Sequence, residues 1–407
     1  MFFLKKYENL YLFYILIVSA LSVYYLMGLN IVITNNAIAE WLINYQGGFV
    51  RRGFLGEFVY QISLFFKLNL RFVFLILQIF LYLTYYYLIY KLLMNISFNY
   101  LIFVTIFSPL FILFPIAELE ALGRKEVILF IILILSSNIF FNNKKNNLGL
   151  FFISLSFPIL LLIFEKNIFY SLFFIFIILI SFKELNKKYF IKLFYLSLPT
   201  LIVILLIVLN PHSIQDTERM CDSLKKIGES CGMPTFFLSK KIGFHMNEVS
   251  WKLEHILRYL TIFILGFGPL LILIKNSHFN VAKVNKNHNK IPLIYYFLVS
   301  VFISFIMMVI AVDSGRWMHI SYTCSIITYY VMLKNQVIIL NQNNSLIKFF
   351  NKKINNVIKI IIFLIVCMSW NPKAVYHEDL GSLPLYRAIE KSSTYYNNIL
   401  SIKITQK

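Results

Sequence analysis

Residues 44–57 read "NYQGGFVRRGFLGE", with two adjacent arginines set behind a pair of glycines in an otherwise apolar chain. A guanidinium carries a fixed charge and a planar fork of donors that fits phosphate or carboxylate oxygens, and glycine lets backbone N–H groups approach a ligand closely. Arg51 and Arg52 therefore suit an anionic group such as a phosphate. They equally suit lipid headgroups at a membrane surface. Arginine is scarce here, at positions 51, 52, 71, 124, 219, 258, 316 and 387 against thirty lysines, so each position is informative.

Three further stretches carry possible chemistry. In "AELEALGRKE", residues 117–126, Glu118 and Glu120 form an acid-x-acid pair, followed by Arg124, Lys125 and Glu126. Two close carboxylates can hold a divalent cation, or repel until one is basic enough to take a proton. The plainer alternative is a helix start with a Glu120–Arg124 pair. In "VDSGRWMH", Val312 to His319, Asp313 can cap a turn that brings Arg316 beside Trp317 and His319; an interfacial turn anchored by Trp is the alternative. In "AIAEWLI", Glu40 is the acid that precedes the arginine pair, and Glu57 is the one that follows it. Glu165, Lys166 and Arg258 could complete a ring of charge around a cleft.

These groups need a scaffold, and composition defines it. With 59% apolar residues, 14% charged residues and a mean hydropathy of +0.74, a 407-residue chain has too little polar surface to cover a soluble globule. The net charge of +20 does not indicate nucleic acid, because the basic residues punctuate apolar runs rather than gather on one soluble face. The expected fold is an all-α integral membrane protein, one polytopic domain over residues 1–407. Apolar runs predict about eleven spans, near 10–33, 72–93, 98–116, 127–141, 148–164, 168–182, 190–210, 255–274, 292–312, 320–333 and 357–369. The first follows Lys5 and Lys6 without a small-residue cleavage site and reads as an uncleaved anchor.

A cytoplasmic amino terminus puts Lys91, Lys144, Lys145, Lys183, Lys187, Lys188, Lys275, Lys283, Lys286, Lys290, Lys334, Lys348, Lys352 and Lys353 in internal loops. All eight arginines then lie outside, or within about one turn of the outer loops. The external connection 34–71 should form juxtamembrane helices with Trp41 and Tyr45 at headgroup level. The connection 211–252 holds Cys221 and Cys231, spaced for a disulfide in an oxidising exterior or present as two thiols. The tail 370–407, with Arg387, is also expected outside.

A Lys/Ile/Phe/Asn-rich chain of this size, with many spans and an enlarged late external loop, resembles bacterial O-antigen and capsule polymerases. The layout also resembles the GT-C superfamily of polyprenyl-phosphate-dependent glycosyltransferases, whose first external loop forms juxtamembrane helices with an acid and whose second often bears an acidic pair. Glu40 or Glu57 would be the first-loop acid, and Glu118 with Glu120 the pair, although the pair is Glu-x-Glu rather than the common Asp-containing form. The resemblance implies an enzyme on the periplasmic side of the bacterial cytoplasmic membrane, alongside other polysaccharide-assembly membrane proteins. It would transfer sugar from polyprenyl-diphosphate-linked oligosaccharide. Arg51, Arg52, Arg124, Arg316, His319 and Glu40 would bind the diphosphate and substrate. Glu118, Glu120 and Asp313 would be the catalytic carboxylates, and a divalent cation, if used, would sit on Glu118 and Glu120. The alternatives are a flippase for the same lipid-linked sugars and a glycan acyltransferase using His319 with Asp313.

Overall fold

The computed structural model describes residues 2–31, 36–94, 96–97, 99–143, 146–182, 187–240, 253–284, 292–310, 313–374, 383–387 and 389–390. Lys144, Lys145, His245, His377, the end of the 211–252 connection and most of the 370–407 tail lie outside these residues. Among the described residues the regular structure is helical apart from one antiparallel pair, β1 (Ser277–Phe279) with β2 (Ile338–Leu340). In chain order the helices are α1 (Phe2–Ile31), α2 (Asn36–Trp41), α3 (Gly53–Phe66), α4 (Leu70–Leu93), α5 (Tyr100–Ile106), α6 (Phe114–Ala117), α7 (Glu126–Asn143), α8 (Asn146–Ile163) and α9 (Ser171–Ser181). They continue with α10 (Lys187–Leu209), α11 (Ile214–Lys225), α12 (Met233–Phe236), α13 (Leu253–Ile262), α14 (Gly268–Lys275), α15 (Leu293–Ile310), α16 (Ser314–Lys334), α17 (Ser345–Lys348) and α18 (Asn356–Phe363).

Among the described residues five stretches are long and apolar enough to cross a membrane: Glu8–Asn30, Leu70–Leu93, Asn146–Ile163, Tyr189–Leu209 and Leu253–Lys275. In such a setting every backbone polar group must be satisfied within the chain, which is why apolar runs become helices. Shorter apolar helices, Gly53–Phe66, Glu126–Phe141, Leu293–Met308 and Asn356–Met368, accompany them. Burial divides the bundle into extremes. Only 6% of the apolar window of α10 is fully buried, and one side of that helix, with Phe190, Phe194, Leu201, Leu205 and Leu209, is exposed and left for lipid. The reverse holds for α16, in which every residue from Ser314 to Met332 is buried.

The expected span 98–116 is not one helix. It breaks into α5, a run of turns and the single turn α6, because Pro109 cannot donate a backbone hydrogen bond and its ring disfavours a helical residue before it. The run 168–182 likewise divides into a 3-10 stretch, Glu165–Tyr170, and the eleven residues of α9. The first break sets the Leu110 carbonyl against His319 of α16, and the second sets Lys166 over Trp317.

The two ends of the bundle differ in charge. α1 and α4 run antiparallel, joined by Ser22 with the Tyr86 hydroxyl at 2.7 Å and by Asn30 Nδ2 donating to Gln78 at 3.1 Å. At the end where α4 begins, Arg71 donates to the Asn30 carbonyl at 3.1 Å and to Glu229 at 2.8 Å. At its other end Lys334 Nζ donates to the Lys91 carbonyl, and Lys283 Nζ to the Asn335 carbonyl at 2.6 Å. Arg316 and Lys334 lie at opposite ends of α16, about 27 Å apart at 1.5 Å per residue. One pole gathers arginines and acids, the other lysines.

Candidate functional site

The arginine pole is built around Glu40. Its side chain is 2% exposed, with Oε2 2.9 Å from Arg124 Nη1 and 3.7 Å from Arg316 Nη2, and Oε1 3.4 Å from Arg52 Nη1. Three arginines distant in sequence thus meet on one carboxylate. Burial alone would push the Glu40 carboxyl up, but Arg316, Arg124 and Arg52 outweigh it and hold the group well below the usual carboxylate range.

A second layer adjoins this hub. Arg52 grips Glu165 with two parallel bonds, Nε to Oε2 at 2.7 Å and Nη2 to Oε1 at 2.5 Å, and Arg51 Nη1 lies 3.7 Å from the same carboxylate. Against burial, Arg52, then Arg51 and Lys166, bring Glu165 down to about 2. Arg316 donates from Nε to Glu126 at 2.6 Å and sits 3.3 Å from Asp313. A cation at the start of α16 opposes the helix dipole, so these acids offset that term as well as desolvation. Lys125 Nζ donates to the Arg52 carbonyl at 2.8 Å, and Lys166 Nζ lies 4.6 Å from the centre of the Trp317 ring. Burial pushes both lysines down to about 8. Beneath them Phe164 stacks on Trp317, and the guanidiniums of Arg52 and Arg316 lie 4.9 and 5.3 Å from the Phe164 ring centre. The cluster holds six cations, Arg51, Arg52, Arg124, Lys125, Lys166 and Arg316, against the four carboxylates Glu40, Glu126, Glu165 and Asp313.

Local backbone features set this geometry. Arg52 has φ of 69°, in the left-handed region that non-glycine residues rarely occupy, at a cost of order 1 kcal/mol. Gly123, with φ of 75°, shapes the turn before Arg124. Its carbonyl accepts from Trp41 Nε1 and from Gln78 Nε2 at 3.1 Å, and its N–H donates to the Tyr82 hydroxyl at 3.0 Å. Gly47, before the arginine pair, has a packing role: a side chain there would come within 2.0 Å of the Asp216 carbonyl of α11. Arg51 in turn donates to the Phe237 and Leu238 carbonyls at 3.3 and 3.4 Å. The segment from α11 to residue 239 thereby caps the first connection. Cys221 and Cys231 are bonded within that cap, with Cα atoms 5.5 Å apart.

The structure brings together Arg51, Arg52, Arg124, Arg316, Glu40 and Asp313. It separates Glu118 from Glu120. Glu118 is buried and accepts from Arg387, from Asn371 Nδ2 at 3.2 Å and from the Ala374 N–H at 3.2 Å, whereas Glu120 is exposed. Glu118 is thus committed to Arg387 and to the segment 371–374, while Glu120 faces solvent. Among the described residues no group of three or more His, Cys, Asp or Glu could hold a metal ion. His319 stacks on Phe114, ring centres 4.6 Å apart, and its Nδ1 donates to the Leu110 carbonyl at 2.8 Å, so it props the broken 107–113 segment. Trp41, expected at headgroup level, is fully buried because its indole N–H is needed by Gly123.

Glu126, Phe164 and the Gln78–Tyr82 support were not singled out as site residues by the sequence. For Phe164 the available signal was its place before Glu165 and Lys166, the charges interrupting two apolar runs. Between Tyr82, Tyr85, Phe130, Glu126, Arg316 and His319 lies a small, mostly apolar crevice of about one water's size. Comparison with protein-family models, curated proteins and solved structures finds no match.

Proposed function

We propose that this protein is a membrane glycosyltransferase that takes a polyprenyl-diphosphate-linked oligosaccharide at its arginine pole and joins such units into a surface polysaccharide, as O-antigen and capsule polymerases do. The observation that carries the reading is the convergence of six cations on four carboxylates at the pole opposite the lysines. Under the positive-inside rule the lysine pole is cytoplasmic, which puts the arginines at the outer face of the bacterial cytoplasmic membrane.

The chemistry asked of such a site is modest. An acceptor hydroxyl oxygen attacks the anomeric carbon of the donor, the bond from that carbon to the phosphate oxygen breaks, and the diphosphate leaves with the bonding pair. Fixed guanidinium charge stabilises that leaving group. Asp313 and Glu165 are the least buried acids of the cluster, with side chains 27% and 17% exposed. A diphosphate displaces them from Arg316, Arg51 and Arg52, while Glu40 stays as the anchor that keeps the arginines aligned. Asp313 then accepts the hydroxyl proton. A flippase would call for ionisable groups at mid-membrane depth; the ion pairs described above gather at helix ends instead.

Deletion in the native host should leave exported lipid-linked single units and abolish long glycan. Wild type should restore the polymer, and Arg52→Ala and Asp313→Asn should not, although both variants reach the membrane. Glycan of normal length in the deletion strain would sink the polymerase reading. Units retained inside the cell would favour the flippase.

A further inference from the structure

The lysine pole carries a feature that the proposed reaction does not use. Residues 334–359 contain five lysines and no Asp or Glu. Within them α17 and the π-helical turn Phe349–Lys353 form one short helical hook, "SLIKFFNKK". Lys348, Lys352 and Lys353 are exposed, and so are the apolar side chains of Leu346 and Phe349, at 46% and 48%. The opposite side of the hook is fixed to the protein: Ile347 is fully buried, Phe350 stacks on Tyr100 with ring centres 6.5 Å apart, and Asn351 Oδ1 accepts from the Tyr100 N–H at 2.9 Å. Lys359 Nζ closes the turn on the Asn351 carbonyl at 2.8 Å, and α18, with the apolar run Asn356–Met368, begins just beyond.

We infer that this hook is a binding surface for anionic phospholipid headgroups. Exposed apolar side chains beside exposed lysines, at the foot of an apolar helix, fit the boundary between acyl chains and headgroups. Leu346 and Phe349 enter the acyl layer, and Lys348, Lys352 and Lys353 meet the phosphates. Unlike a flexible basic loop, this one is held rigidly against Tyr100 at the start of α5, the helix whose break leads to Glu118. Each lysine near an anionic surface contributes roughly a fivefold gain in binding, so three together give on the order of a hundredfold.

The test is native mass spectrometry of the detergent-purified full chain titrated with phosphatidylglycerol or phosphatidylcholine. Phosphatidylglycerol adducts should persist at collision energies that strip phosphatidylcholine. Lys348→Gln/Lys352→Gln/Lys353→Gln should lose most of that preference, and Phe349→Ala part of it. The control Lys225→Gln/Lys226→Gln, at the arginine pole, should keep it. All variants must first match the parent in thermal unfolding, which these exposed positions should permit. Equal phosphatidylglycerol retention by the triple variant would overturn the assignment, as would equal loss in the control pair. Neither outcome bears on glycosyl transfer, so this inference and the proposed function fail separately.

Discussion

Glu40 Oε2 lies 2.9 Å from Arg124 Nη1, tying α2 to the connection before α7 across 84 residues of sequence. Because Arg52 and Arg316 share the same carboxylate, Glu40 is the group whose loss leaves most charge uncompensated. Removing one partner of a buried ion pair costs about 3–5 kcal/mol. Glu40→Gln should therefore lower the thermal unfolding midpoint in detergent sharply and abolish glycan synthesis. Glu120→Gln, at an exposed position, should change stability by less than about 0.5 kcal/mol. Similar effects of the two substitutions would remove Glu40 from the centre of the site.

The buried lysines give the pole a pH signature. Lys125 and Lys166 have folded-state values near 8 against 10.5 for a free side chain, so the unfolded chain holds more protons between those limits. Their contribution to stability consequently rises as pH increases from about 8 to 10.5. Glu165 behaves oppositely at the acid end: its stabilisation is complete above about 4.5 and is lost as pH falls toward 2. Unfolding midpoints of wild type and of Lys125→Met/Lys166→Met, compared across alkaline pH, should diverge by this rise. Parallel curves would mean the two amines are solvated. Anion binding at the pole should weaken over the same alkaline range as the amines lose charge.

How much of this could be read in the chain beforehand depends on the residue. The arginine positions were informative because a Lys-rich composition makes each arginine an exception, and Arg51, Arg52, Arg124 and Arg316 do meet in space. Pairing within the cluster was not legible. Glu40 sits in a six-residue apolar helix with no local cation, and only the tertiary fold brings three guanidiniums to it. The acid-x-acid pattern at Glu118 and Glu120 counts spacing and not facing: Glu118 turns inward to Arg387, 269 residues away. The run 98–116 has enough apolar residues for a span, and hydropathy alone does not register the break that Pro109 makes in it. Gln78 and Tyr82 are inconspicuous on a long apolar helix, yet they shape the Gly123 turn that delivers Arg124 and Lys125.

The cap over the first connection gives a redox prediction. The Cys221–Cys231 bond closes a short loop next to Glu229, the partner of Arg71, and next to Gly232, which packs against Ala39 beside Glu40. A loop of this length is worth about 3 kcal/mol in the chain-entropy account. Cys221→Ser/Cys231→Ser should lower the unfolding midpoint by several degrees, and reductant should lower wild type to the same value. Alkylation without reduction, followed by peptide mass spectrometry of protein from its native envelope, should leave both cysteines unmodified. Complete alkylation of both would mean the brace is absent in the membrane.

The orientation of the two poles bears on the whole catalytic reading, since a polymerase of exported units must work on the outer side. Gln215, on α11 at the arginine pole, and Gln342, next to β2 at the lysine pole, are both exposed. The native cysteines give a quiet background, because Cys221 and Cys231 are bonded and Cys324 and Cys367 are buried. A membrane-impermeant maleimide applied to intact spheroplasts should therefore label Gln215→Cys and spare Gln342→Cys; after permeabilisation both should react. The positive-inside argument rests on Lys91, Lys275, Lys283, Lys334, Lys348, Lys352 and Lys353 together, so no single loop decides it. Labelling in the reverse order would turn the arginine pole to the cytoplasm, where the acceptor chemistry would have to use units not yet exported. Labelling of both positions from outside would mean that the chain between α11 and β2 crosses the membrane an even number of times, and would detach the lysine hook from the inner leaflet.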